Sequence, residues 1–251
     1  MKRQLLGVAA FMLALSAHAQ DNPLWMRYCA ISPDGTSIAF TYKGDIYTVP
    51  VNGGKAAQIT TNAAHDTHPV WSPDGKQIAF ASDRMGSMDI FVVDREGGIP
   101  KRLTTHSGNE TPVAFKDADH ILFLANVMPS AEDAQFPSGQ FQQVYEVSTT
   151  GDRPVMFSSM PMEDISINKT GNALLYHDKK GYEDPWRKHH TSSITRDIWL
   201  CSLDGKRSYR KLTSFNGEDR TPVWASDGKS FYYLSEELTL IHISEPTRPR
   251  L

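Results

Sequence analysis

The residue types able to do chemistry gather in a few short runs. His65-Asp66-Thr67-His68 sets two imidazoles three residues apart with a carboxylate between them. Such a pair binds metal when a helix turns both rings to one face, but this run lies between strand-like segments. Zinc also needs a third ligand, and a fourth ligand or an open water position, and the sequence nominates none, so we read the run as a solvated polar loop. His189-His190 lies in a charged stretch that we read as an exposed loop. A Ser-His-Asp triad needs its nucleophile on a shaped turn beside oxyanion donors, and the chain holds no Gly-x-Ser-x-Gly elbow. No residue is therefore assigned as catalytic, cofactor-binding or metal-binding.

Other positions recur instead of clustering. Asp45, Asp89 and Asp197 open three similar segments; they form either a ring of carboxylates facing a channel or local hydrogen bonds to a neighbouring turn, and we carry the second reading forward. Trp71 and Trp224 hold equivalent places and are read as core. Asp83-Arg84 is read as a local ion pair, worth little if exposed.

The elements that position these residues emerge from internal repetition. Tyr28–Phe40 aligns with His68–Phe80 at an offset of 40, both carrying Ser-Pro-Asp-Gly and Ile-Ala-Phe. Eroded copies run over 112–123 and 165–176, and a fifth over 221–233. A second element follows the first four copies, at Asp45–Val49, Asp89–Val93, Gln143–Val147 and Asp197–Cys201. A third closes each unit, at Gln58–Thr60, Lys101–Thr104, Val155–Ser158 and Arg210–Thr213.

Each unit reads as four short strands. In Ser-Pro-Asp-Gly, proline presets the first central φ, aspartate bonds its own backbone and glycine takes the left-handed position, giving a tight hairpin between strands one and two. Gly53-Gly54 and Gly97-Gly98 supply positive φ between strands three and four. The strand segments are β-branched and aromatic. Four-stranded units repeated in order predict an all-β fold, a β-propeller, where a β-sandwich would not repeat an ordered three-part motif. The expectation is four complete blades, at roughly 28–61, 68–105, 111–158 and 163–214, plus strands one and two of a fifth, in a propeller of six blades when intact. Two insertions, 126–142 and 178–196, separate strands two and three, and their length makes them candidates for contact with a ligand.

The 251 residues include 39% hydrophobic types, 17 Gly and 15 Pro, which excludes collagen-like and low-complexity classes. The formal charge is −3, or −5 without Lys2 and Arg3, which makes nucleic acid an unsuitable partner. Cys29 and Cys201 form no CxxC pair; both are read as buried free thiols, with a bridge as the alternative. Met1-Lys2-Arg3, an apolar stretch over Leu5–Ala17 and Ala17-His18-Ala19 form a secretory signal peptide over 1–19, too short to span a bilayer. The expectation is an exported, periplasmic protein starting at Gln20, with no membrane span after cleavage. Leu238–Arg248 reads LTLIHISEPTR, ten of eleven positions of the LSLIHISEPTR encoded by a transposase sequencing adapter. We therefore expect 238–251 to be non-native, 20–237 to be an incomplete propeller domain, and the natural protein to continue past about Glu237.

The Ser-Pro-Asp-Gly-Lys-x-Ile-Ala-Phe core of 72–80, Asp-Ile-Phe-Val-Val of 89–93 and Lys-Arg-Leu-Thr of 101–104 resemble the WD-like propeller repeats of TolB and of the tricorn protease family, over about residues 24–235. Asn22-Pro23-Leu24-Trp25-Met26-Arg27-Tyr28 leads straight into the first blade, which is similar to the start of exported tricorn-like serine peptidases; TolB-type proteins place a small α/β domain first. The resemblance implies a propeller that filters peptides or unfolded proteins and guides them toward a distant catalytic domain with a Ser nucleophile and His base. It also implies a second propeller and a PDZ-like domain in the same chain, with oligomers possible and no cofactor required. No residue here matches the family's catalytic motifs, so this chain alone is expected to lack peptidase activity. The alternatives are a non-enzymatic TolB-like binding or scaffold propeller and the propeller gate of another hydrolase.

Overall fold

The computed structural model describes residues 25–126, 141–181 and 193–237. The signal peptide over 1–19, the tail over 238–251, His189-His190 and most of both insertions lie outside them. Within the described residues no helix is long and apolar enough to cross a membrane.

Among the described residues, eighteen strands form four complete antiparallel sheets and one two-stranded sheet. Blade 1 holds β1 (Arg27–Ile31), β2 (Ser37–Tyr42), β3 (Asp45–Pro50) and β4 (Ala57–Gln58), and blade 2 holds β5 (Asp66–Trp71), β6 (Gln77–Ser82), β7 (Asp89–Asp94) and β8 (Lys101–Arg102). Blade 3 holds β9 (Glu110–Phe115), β10 (His120–Ala125), β11 (Gln143–Ser148) and β12 (Val155–Ser158). Blade 4 holds β13 (Met162–Ile167), β14 (Ala173–Asp178), β15 (Ile198–Ser202) and β16 (Ser208–Lys211), and blade 5 holds β17 (Asp219–Trp224) and β18 (Phe231–Ser235). Strands pair in sequence order within each blade, and the repeat boundaries read from the sequence fall on these sheets.

Turn chemistry sets the hairpins. In blade 2 the Gly75 N–H donates to the Ser72 carbonyl at 2.9 Å, Gly75 has φ +69°, and the Asp74 carboxylate accepts from the Ser72 hydroxyl at 2.7 Å and the Lys76 N–H at 3.1 Å. Only glycine takes that backbone conformation without a Cβ penalty. Blade 1 repeats the arrangement, and there the same bonds hold the exposed Asp34 carboxyl down at about 2, the Ser32 hydroxyl contributing most. These hairpins and the turns between strands three and four lie at one end of the blades. At the other end lie the connections between blades and, in blades 1 and 2, those between strands two and three.

The core sits between blades rather than inside them. One apolar cluster spans each of the four junctions: Ile46 and Ile59 with Trp71, Phe80 and Phe91, then Ile90 and Val92 with Phe115 and Tyr145. Leu122 and Val144 meet Met162 and Tyr176, and Leu175 and Ile198 meet Phe231. The first strands of neighbouring blades also touch, β1 with β5, β5 with β9, β9 with β13 and β13 with β17, so they converge on a common axis.

The two cysteines depart from expectation. Both are free, but only Cys201 is buried; Cys29 is exposed, since among the described residues no blade packs against the outer side of β1. Burial pushes the Cys201 thiol up from its ordinary pKa.

Candidate functional site

The first strand of every blade carries a β-bulge. The register slips between Arg27 and Ala30, Thr67 and Val70, Glu163 and Ser166, and Arg220 and Val223. Four of these bulges turn on a non-glycine residue of positive φ: Tyr28 (53°), His68 (53°), Asp164 (49°) and Thr221 (54°). Left-handed φ at a residue with a side chain costs on the order of 1–3 kcal/mol and persists where surrounding structure enforces it, often at functional sites. In blade 3 Pro112, opposite Phe123, holds the same place, and the slip falls one step later, at Val113.

Because the first strands converge, bulge residues of adjacent blades meet. The Tyr28 and His68 rings lie with centroids 3.6 Å apart, and the Thr221 hydroxyl donates to Asp164 Oδ2 at 2.7 Å. The first-strand bulges thus bring aromatic and imidazole groups together where blades 1 and 2 meet, and hydroxyl and carboxylate together where blades 4 and 5 meet. Burial, then the neighbouring His65, holds the His68 imidazole below its usual pKa.

Behind Asp164 lies a network of paired charges. Buried His177 on β14 accepts the Thr221 backbone N–H at Nδ1, 3.3 Å away, so the ring proton sits on Nε2 and points to Glu163 Oε2 at 3.2 Å. Glu163 also takes Lys179 Nζ at 2.6 Å, and its carboxyl is held down at about 2, chiefly by the His177 hydrogen bond and further by Lys179. Arg196 pairs with Glu218 at 3.0 Å, and Asp197 is flanked by Lys180 and by Lys211 at 2.9 Å. Lys180, Thr195, Asp197, Lys211, Phe215 and Asn216 line an open cleft of about 390 Å³. Ser193, within the second insertion, also lines it.

The carboxylates at the start of strand three bond locally, to the end of strand four of their own blade. Asp45 accepts from Gln58 Nε2 at 3.0 Å and Thr60 Oγ1 at 3.3 Å, and buried Asp89 meets Arg102 at 2.7 Å. Sequence reading missed the partner that recurs here: Thr60, Thr104 and Thr213 each accept a strand-three N–H, from Ile46 at 2.9 Å, Ile90 at 2.9 Å and Ile198 at 3.0 Å. The signal was present, since each threonine closes the third repeated element.

Two expectations are corrected. His65-Asp66-Thr67-His68 is not a solvated loop: Asp66 opens β5, Asp66 and Thr67 are buried, and His68 is the bulge residue. Arg84 does not pair with its neighbour Asp83. It takes both oxygens of Asp66 at 2.8 Å and lies over the Phe91 ring, while Asp83 accepts the His65 N–H at 2.7 Å. The antiparallel register explains this by setting Asp66 opposite Ser82, two residues from Arg84. Trp71 and Trp224 do lie at junctions, as read from their equivalence, and each donates its indole N–H at 3.1 Å to a first-strand carbonyl of the preceding blade, that of Ala30 or Ser166.

Comparison with known proteins places this architecture. The family model of the tricorn protease N-terminal beta propeller domain matches residues 23–243. A tricorn protease homolog of Streptomyces coelicolor is 25% identical over 209 residues, 83% of this chain and 19% of the relative. An uncharacterized protein of Agrobacterium fabrum is 34% identical over 216 residues, 81% of this chain and 68% of the relative. The crystal structure of the tricorn protease matches with a TM-score of 0.65 at 18% identity, over 86% of this chain and 20% of that one, a likeness of fold. The chain thus spans about a fifth of the length of the tricorn homologs it matches.

Proposed function

The chain belongs to the tricorn protease N-terminal β-propeller family, and on that premise we propose that it is the propeller of a tricorn-like exported serine peptidase. It guides extended peptide along its axial opening toward a catalytic domain elsewhere in the whole protein. The observation that carries this reading is the set of strained bulge residues, Tyr28, His68, Asp164 and Thr221, brought to the axis by four separate blades. Stacking and hydrogen-bonding groups around one opening suit a main chain with varied side chains better than one fixed small molecule. Location in the periplasm is part of the proposal and is supported by the leader-like residues 1–19.

Titrating the protein with fluorescent unfolded polypeptide, alongside a Tyr28→Ala/Thr221→Ala variant, tests the guiding role. Weaker binding by the variant, with folding intact, is the expected result; equal binding removes the axial opening from the pathway. A second reading is a non-enzymatic TolB-like binding propeller, favoured by the Agrobacterium fabrum relative, of which this chain covers 68%. Sequencing the source locus beyond codon 237 separates the two. A frame running several hundred codons into a Ser/His catalytic domain supports the peptidase, and a stop after one or two more blades supports the binding protein.

A further inference from the structure

At the junction of blades 4 and 5 an imidazole of one blade holds the backbone of the other. His177 lies on β14 with its side chain 5% exposed, and β15 sets the apolar Ile198 opposite it. Its Nε2 faces Glu163 Oε2 of β13 at 3.2 Å. Its Nδ1 faces two groups of opposite character: the Thr221 backbone N–H of β17, a donor, at 3.3 Å, and Asp164 Oδ2 of β13, an acceptor, at 3.6 Å. One nitrogen cannot serve both. With the ring neutral and its proton on Nε2, Nδ1 carries a lone pair and accepts from Thr221, while Asp164 Oδ2 receives the Thr221 hydroxyl at 2.7 Å. Protonation makes both ring nitrogens donors. The Thr221 N–H then points at a donor, and the acceptor within reach of Nδ1 is Asp164, in the blade that carries His177.

The charged groups around the ring are Glu163 and Asp164 from β13, Lys179 and Arg196 behind Glu163, and Asp219 and Arg220 beside Thr221 on β17. Lys179 lies 2.6 Å and Arg196 3.9 Å from Glu163, and Arg196 also takes Glu218 at 3.0 Å. Asp164 has no cationic partner but His177 among the described residues, so a proton arriving on Nδ1 meets a carboxylate with no other cation to hold. Thr221 is the residue on which an exchange of partners tells. Its φ of +54° is an outlier for a β-branched residue and persists while the surroundings enforce it. It gives its N–H to His177 and its hydroxyl to Asp164, both in blade 4, and one proton on His177 disturbs the two bonds together.

We propose that His177 is a proton-operated latch between blades 4 and 5. The neutral ring holds the first strand of blade 5 by the Thr221 N–H; protonation turns Nδ1 to Asp164 and exchanges the bond across the junction for one inside blade 4. The strained bulge at Thr221 is then released at the axis, where the first strands of neighbouring blades touch. The latch follows from the junction geometry and does not depend on what passes along the axis.

The test is an NMR titration of the isotopically labelled chain from about pH 8 to about pH 5, the range over which imidazole ordinarily changes charge. It follows the His177 ring resonances together with the Thr221 amide, whose hydrogen exchange is corrected for the intrinsic effect of pH. The two are expected to share one midpoint, with exchange at Thr221 roughly tenfold faster on the acid side, the scale of one hydrogen bond lost. His177→Gln, whose amide accepts and donates but does not titrate, is expected to hold Thr221 at every pH. Asp164→Asn tolerates the positive φ and removes the charge that receives Nδ1, so it is expected to move the shared midpoint to lower pH. If His177→Gln lowers the melting temperature, Asp164→Asn decides alone, since it leaves the ring in place; an unchanged midpoint then overturns the proposal. So does a Thr221 amide that does not respond while His177 titrates, a His177 that keeps one protonation state across the range, or a response at Thr221 that persists in a folded His177→Gln.

Discussion

Trp71 donates its indole N–H to the carbonyl of Ala30, 3.1 Å away across the junction of blades 1 and 2, and Trp224 repeats the bond to Ser166 at the junction of blades 4 and 5. One side chain thus supplies both apolar bulk and a polar tie to the neighbouring first strand, which fixes how far the two blades approach at the axis.

The two contributions separate by substitution. Trp71→Phe keeps most of the packing and loses the bond, with an expected cost of about 1 kcal/mol. Trp71→Ala also opens a cavity and is expected to cost about 3–5 kcal/mol. Urea denaturation of both variants checks this, and equal losses would show that the hydrogen bond dominates and the ring contributes little.

Arg84 and Asp66 form a buried pair within blade 2, with Asp66 fully buried and the guanidinium resting on Phe91. Removing one member of a buried pair leaves an uncompensated charge. Arg84→Met is expected to destabilise by about 3–5 kcal/mol, and Asp66→Asn/Arg84→Met to recover most of the loss. Denaturation midpoints of the single and double variants decide it; a double variant as weak as Arg84→Met would mean that the arginine acts through its contact with the aromatic rings.

The repeat made most of the fold readable, because Ser72-Pro73-Asp74-Gly75 and its relatives encode a hairpin within four residues, and the ordered recurrence of Asp-Ile-Phe and Leu-Thr segments fixed the blade boundaries. The axial site was less readable for a physical reason. Its residues are unlike one another in type, Tyr28, His68, Asp164 and Thr221, and what they share is a backbone conformation imposed by a bulge. Composition carries no trace of that, though alignment of the repeats does place them in one column. Arg84 was misread for a related reason: its partner is 18 residues away and adjacent only through the β5–β6 register. Cys29 was misread because its exposure depends on whether a blade packs against β1, which no local pattern states.

Glu110 gives a pH-dependent prediction. It is buried at the start of β9, takes the hydroxyl of Thr104, and burial pushes its carboxyl up from 4.5 to about 7, with nearby Asp89 adding to the rise. The native state therefore holds a proton that the unfolded chain has released, so stability is lost as pH rises from about 4.5 to about 7. The loss is on the order of 3 kcal/mol. Glu110→Gln is expected to remove this slope, seen as the difference between wild-type and variant urea curves over that range; parallel curves would show that Glu110 stays ionised in the fold.

Glu163 has the opposite sign and ties the charged network to the axis. Its carboxyl is held at about 2 against an ordinary 4.5, so the unfolded chain binds the proton first, and the stability it contributes is present above about 4.5 and lost as pH falls toward about 2. The same carboxylate fixes the tautomer of His177, whose Nδ1 receives the Thr221 N–H of blade 5. Glu163→Gln should therefore do two things at once: flatten the acid limb of the stability curve by on the order of 3 kcal/mol, and speed hydrogen exchange at the Thr221 amide at neutral pH. Loss of the acid limb without faster exchange at Thr221 would confine Glu163 to stabilising blade 4. If both change, the strained Thr221 bulge is held in place by a charge pair inside the neighbouring blade, and acidification loosens the axial opening before it unfolds the protein.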